Sequence, residues 1–164
     1  MKSLLFLMLL GLNSLGFVPH REMLRGTVTE VIDGNTILLL TDESESYTME
    51  LYGIDCPESE QPYGEAARLF LEQKVKGKKV LAIVEGKNRW GTRQAIIIAS
   101  NEDDPRHLLL SHGLAWICEK DAPPELETLG RDAKSKGIGL WRDENPVPPW
   151  TYRRQQTMLT PKFR

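Results

Sequence analysis

Asp55 and Glu58 stand three residues apart, flanking Cys56 and Pro57, in the run LYGIDCPESEQPYGEAA that spans residues 51–67. Two carboxylates this close can bind a hard cation through oxygen, or one of them can take a proton from an attacking water. The alternative is a pair of solvated loop acids with no chemistry of their own. No histidine adds to the pair. His20, His107 and His112 form no metal-ligand spacing with either cysteine. His107 and His112 are five apart, off the spacing of four that shares a helical face, so they fit surface or capping roles.

The neighbouring residues say how the acids are held. Pro57 has no N–H to donate to a central strand, and it pushes Cys56 toward an extended conformation, so a strand ends at Asp55. From about residue 62 the pattern turns helical, with Ala66, Leu69, Phe70 and Gln73 at helical spacing. The acids therefore sit on a strand-to-helix loop. Upstream, residues 23–33 alternate as a half-buried strand, with Val28, Glu30 and Ile32 on one face. Asp33-Gly34-Asn35 predicts a tight hairpin whose residues tolerate positive φ, and strands follow at 36–40 and 47–54. A helix is predicted over 63–75, then strands over 79–85 and 93–100. Short helices follow over 107–112 and 125–136, with an apolar segment at 114–118 between them. Five strands with a helix between the third and fourth describe a five-stranded OB-fold Greek-key barrel, a mainly β variant of the α+β class with about three helices.

A chain of 164 residues is one domain with room for a real core. Its net charge of −2 gives no general attraction to nucleic acid, but the charge is uneven. Residues 41–60 hold seven acids and no Lys or Arg, whereas residues 150–164 hold four bases and no acid. The edge bearing Asp55 and Glu58 repels phosphate unless a cation sits there, and the tail attracts it. Lys2, the apolar run over residues 4–12 and the small residues Ser14 and Gly16 read as a signal peptide over residues 1–16. The expectation is export to the periplasm or beyond, with no membrane span in the mature chain; an uncleaved anchor is the alternative. An exported chain with two cysteines invites a disulfide between Cys56 and Cys118, the alternative being two buried, reduced thiols.

Specific wording now joins the pattern. LYGIDCPE followed by QPYGEAA resembles the signature of the staphylococcal-nuclease-like, or thermonuclease, family. The likeness runs from about residue 24 to residue 153 and takes in GTVTEVIDGNTI, NRWGTR, SHGLAW, GIGLW and NPVPPWTYRR. It implies a domain over residues 24–142, a Pro-rich and then basic tail over 143–164, and a monomer without a small-molecule cofactor. It also implies a calcium-dependent phosphodiesterase acting on DNA or RNA. In such an enzyme calcium grips a phosphate oxygen, a glutamate directs the attacking water and two arginines clamp the phosphate as charge builds.

Carried over position by position, the likeness is incomplete. Asp55 matches a calcium ligand, Cys56 a backbone-carbonyl ligand and Glu58 the general base. The other carboxylate ligand is Asn35, which can coordinate without charge or simply serve the turn. The two arginine positions are Glu50 and Thr92. Arg93, next to Thr92, points to the other strand face unless a bulge returns it. Where the staphylococcal enzyme has base-stacking aromatics, this chain has Cys118-Glu119-Lys120-Asp121. Trp150, with Arg153 and Arg154, is either a nucleic-acid contact or part of a tail strapped over the barrel. Three readings follow: a calcium-dependent nuclease, a catalytically impaired nuclease fold that binds nucleic acid or an envelope protein, or an interaction module unrelated to nucleic acid.

Overall fold

The computed structural model describes residues 21–99, 104–118 and 122–159. The signal segment, residues 119–121 of the altered base-stacking stretch, and Lys162 and Arg164 of the basic tail lie outside them.

Five strands close into a barrel: β1 (Met23–Val31), β2 (Thr36–Thr41), β3 (Ser46–Leu51), β5 (Lys79–Lys87) and β6 (Arg93–Ala99), in the order β1-β2-β3-β6-β5. All neighbours are antiparallel except β3 and β6, which run parallel. The expected barrel is therefore the one observed. Its interior is the inward half of each alternating strand, with Val28, Ile37, Leu39, Met49, Leu51, Ala82 and Ile97 removed from water. The alternation expected of β1 breaks once. A bulge between Val28 and Glu30 shifts the register, so Val28 and Val31 both face inward while Ile32 is exposed.

Among the described residues there are four α-helices and one 3-10 turn (Gly139–Arg142): α1 (Gly64–Val75), α2 (Pro105–Ser111), α3 (Pro124–Ser135) and α4 (Pro149–Leu159). The first three match expectation. The fourth lies within the Pro-rich and then basic tail expected over 143–164, where no helix is predicted. Prolines tend to break a helix interior but suit its first turn, where the lost N–H has no partner anyway. Pro149 is the first residue of α4, and the Pro148 carbonyl accepts from the N–H groups of Thr151 and Tyr152, so the proline cluster starts a helix here.

The third strand also ends earlier than its apolar run predicts. Gly53, at φ +83°, turns the chain out of the barrel. Ile54 and Asp55 then form a separate two-residue strand, β4, paired with β7 (Trp116–Ile117) in the register Ile54↔Ile117 and Asp55↔Trp116. A buried arginine fixes the departure point. Arg106, 2% exposed, is forked onto Asp104 and donates from Nη1 to the Tyr52 carbonyl at 3.0 Å.

The hairpin before β2 is built differently from the expectation. Its glycine is needed for closeness, since Gly34 is not among the positive-φ residues. A Cβ on Gly34 would lie 2.6 Å from the Cys56 Cβ and 2.8 Å from that of Ala67. The hairpin is thus pressed onto both the acid-bearing loop and α1. Gly34→Ala should lower stability by about 1–3 kcal/mol in urea unfolding, the usual cost of overpacking. Gly86→Ala, in open space on β5, should change it by no more than about 0.5 kcal/mol.

Candidate active site

The two carboxylates sit in an open cleft of about 360 Å³ between the first hairpin, β4 and the β5–β6 turn. Asn35, Glu50, Asp55, Cys56, Glu58, Cys118 and Arg153 all line it. Sequence spans of more than a hundred residues are gathered here because the barrel sets the end of β3 beside the start of β6, and the β4–β7 ladder outside the barrel adds Asp55 and the segment holding Trp116 and Cys118.

Each acid is held by a different local device. Asp55 is fixed by its place in β4. Glu58 follows Pro57, and its backbone N–H donates to Gln61 Oε1 at 2.9 Å. Gln61 is 7% exposed and donates from Nε2 to the Val147 carbonyl at 2.8 Å, tying the acid loop to the segment that leads into α4.

That segment delivers an arginine to the acids. Arg153 Nη1 and Nη2 donate to the two oxygens of Asp55 at 3.2 and 2.7 Å, and Nη1 also donates to Glu58 Oε1 at 2.6 Å. The bidentate fork on Asp55 is the geometry in which guanidinium binds carboxylate best. Burial still pushes the Asp55 carboxyl above the ordinary range, outweighing the pull of Arg153 in the other direction. Arg153 itself is held more firmly protonated by its bonds to Asp55 and Glu58.

The two positions where the family resemblance calls for arginine behave differently. Glu50 points into the cleft, accepting from Asn88 Nδ2 at 2.7 Å and Gln94 Nε2 at 3.3 Å. Half burial raises its pKa, the two amides lower it, and Asp33 and Asp55 raise it again, with a net upward shift. Thr92 does not line the cleft. Its N–H donates to Asn88 Oδ1 at 3.0 Å and closes the turn between β5 and β6. Arg93 is not returned to the site: it pairs with Glu22 and stacks on Tyr47, its guanidinium carbon 4.1 Å from the ring centre. In the parallel register Gln94, not Arg93, lies beside Glu50. Asn88 and Gln94 are the functional neighbours that sequence reasoning missed. Only their positions in and just after the NRWGTR segment could have marked them.

Asn35 serves the turn. Its N–H donates to Asp33 Oδ1 at 2.9 Å, and its side-chain Oδ1 accepts from the Cys56 N–H at 3.0 Å. This departs from the ligand set that the resemblance implies. Calcium takes about six to eight oxygen ligands. Here the oxygen of Asn35 is engaged by backbone, Asp55 carries one charge and both its oxygens bind a guanidinium. Among the described residues no three His, Cys, Asp or Glu side chains gather as metal ligands. The residues present, so arranged, do not fit a calcium ion.

The two thiols are not joined in this structure. Cys56 is buried against Gly34, and burial pushes its thiol pKa well up, with Asp55, Asp33 and Cys118 adding to the shift. Cys118 is half-buried on the same cleft. Trp150 does not face the cleft. It packs edge-on against Trp116 at 5.8 Å between ring centres, and Trp116 in turn packs on Trp141 at 4.5 Å. Arg154 is exposed. Of the three residues proposed to contact nucleic acid, Trp150 straps the tail down and Arg153 is bound to the acids.

A closed five-stranded barrel with helices packed on it, and an acid pair at and just beyond the short outlying strand β4, is an OB-like α+β fold. The family model described as "Staphylococcal nuclease homologue" matches residues 48–143. The chain is 34% identical over 148 residues to "Protein ParB" of Escherichia coli, covering 84% of this chain and 83% of that protein. It is 31% identical over 134 residues to an "Uncharacterized endonuclease" of Escherichia coli O157:H7, covering 81% of this chain and 87% of that one. It is also 34% identical over 114 residues to "Staphylococcal-like nuclease CAN1" of Arabidopsis thaliana, 69% of this chain but 35% of that protein. The chain belongs to the staphylococcal nuclease family.

Glu50 makes the site pH-sensitive with a definite sign. Its folded pKa lies above the unfolded value, so its contribution to stability is fully present below the ordinary glutamate pKa of ~4.3 and is lost as pH rises through the raised value. Glu50→Gln should therefore raise Tm at pH near neutrality. The gain should shrink as the pH falls toward the glutamate range. Equal melting temperatures of the two proteins across the whole range would refute this.

Proposed function

We propose that this protein is a nuclease by descent, directed at the phosphodiesters of DNA or RNA, whose hydrolytic activity is strongly attenuated. The observation that carries the reading is Glu50. A half-buried carboxylate held by Asn88 and Gln94 stands where the family resemblance calls for a phosphate-binding arginine. An ionised carboxylate donates no hydrogen bond and repels the developing charge. Thr92, the other such position, lies outside the cleft.

Losing one transition-state donor typically costs ~10²–10³ in rate, and two such losses compound without simply adding. Glu58 remains available in type to direct a water, but its Oε1 is bound by Arg153. Calcium dependence in the family sense is weak, because Asn35 brings no charge and its oxygen is engaged. The proposal includes a monomeric state and, supported by Lys2 and the apolar run after it, export.

A second reading is favoured by one feature at the rim of the cleft. Trp90 is 71% exposed, with the Arg89 guanidinium stacked on it at 3.9 Å. An exposed aromatic with a cation suits a base and its phosphate in single-stranded nucleic acid. The protein then retains binding while hydrolysis fades.

The test is cleavage of single-stranded DNA with and without calcium. The wild type should cleave no faster than its own Glu58→Ala variant. Glu50→Arg, Thr92→Arg and Arg153→Met together should raise the rate by ~10² or more. Robust wild-type cleavage that disappears in Glu58→Ala would overturn the attenuated reading.

A further inference from the structure

We propose that Arg153 is the built-in cation of this site: α4 is a plug whose guanidinium occupies the acid pair and excludes a divalent metal from it. The family resemblance puts a metal beside Asp55. The arrangement of this chain's residues puts a helix there instead.

The seat is specific because two spacings match. Trp150 and Arg153 are three apart on α4, so their side chains lie on one face about 5–6 Å apart at Cβ. Trp116 and Asp55 are direct cross-strand partners in the β4–β7 ladder, and such partners lie about 4.5–5.5 Å apart at Cβ. When Trp150 lands on Trp116, Arg153 lands on Asp55. The aromatic contact sets the register of the helix, and the charge contact reads it out.

The seat is also occupied. Asp55 has 12% of its side chain exposed, and both its oxygens bind Arg153. Glu58 is 32% exposed and accepts from the same guanidinium. A metal entering here must displace the fork, and α4 resists because it is anchored twice more. Trp150 is docked on Trp116, and the Val147 carbonyl just before α4 is held by Gln61. Gln61 in turn holds the backbone of Glu58. The loop that carries the acid therefore also fastens the plug.

One guanidinium between two carboxylates offsets part of their charge. A buried unpaired carboxylate is costly, and a paired one is tolerated. With Arg153 present the acids need no ion to fold. Arg153 fills the seat equally in a protein that cleaves slowly and in one that cleaves nothing.

The test uses the full chain stripped of metal, read by thermal unfolding and by terbium luminescence sensitised by Trp116. In the wild type, millimolar calcium should leave Tm unchanged and terbium should give no signal that depends on Asp55. Arg153→Met should gain a calcium-dependent rise in Tm and a terbium signal that Asp55→Asn abolishes. Its apparent calcium affinity should exceed that of the wild type by about tenfold or more, the least that loss of a bidentate half-buried ion pair implies. Trp150→Ala, which unkeys the helix while keeping the arginine, should give a smaller gain in the same direction and serves if Arg153→Met does not fold. A wild type stabilised by calcium through Asp55 would overturn the proposal. So would variants that fold and bind no more calcium than the wild type.

Discussion

The two-residue ladder between β4 and β7 is the constraint on which the cleft depends. Gly53 lets the chain leave the barrel, Arg106 pins the carbonyl at the point of departure, and Ile54 and Asp55 find new partners in Ile117 and Trp116. Without that exit Asp55 would continue along the barrel wall, one more residue in β3. With it, a carboxylate faces the cleft and an indole stands directly opposite on the neighbouring strand. Cys118 extends the ladder by donating from its N–H to the Gly53 carbonyl at 3.1 Å. The C-terminal helix then has a surface to land on.

Charge explains why something must land there. Asp33, Glu50, Asp55 and Glu58 line a single cleft. Burial and mutual repulsion raise the pKa values of Glu50 and Asp55. Among the described residues Arg153 is the only cationic side chain lining that cleft. Asn88 and Gln94 supply neutral donors to Glu50, so the cleft is satisfied by two amides and one guanidinium. Phosphoryl chemistry draws on preorganised positive charge directed at the phosphate, whereas the one guanidinium lining this cleft is bound to the protein's own acids.

Much of the barrel was legible because it is written in local patterns. Alternation marked the strands, Asp33-Gly34-Asn35 marked the hairpin, and Pro57 marked the end of the acid-bearing strand. Asn35, Glu50, Asp55 and Glu58 could be expected to share a site because each sits at a fixed place in a contiguous motif, and all four line one cleft; Thr92, expected there on the same ground, does not line it. The failures share one cause. The bulge in β1, the exit at Gly53 and the need for Gly34 to be small depend on what lies across the chain, and no local period records that. The prolines before Trp150 read as a tail because a proline cluster has two meanings: it breaks a helix interior and suits a helix start.

The sequence alone determined the family and the barrel, since these rest on residue identity at defined spacings, and it set Glu50 and Thr92 at the two positions where the resemblance calls for arginine. It also placed Arg153 in a basic tail, apart from the acids by almost a hundred residues. Only the tertiary structure decided that this arginine returns to Asp55 and Glu58, that Glu50 is held by Asn88 and Gln94, and that Asn35 gives its oxygen to the Cys56 backbone. Those outcomes turn on pairing between segments distant in the chain. The physical reason is that a hydrogen bond or ion pair across such a distance forms only after the barrel and the β4–β7 ladder have set the angles at which the partners meet.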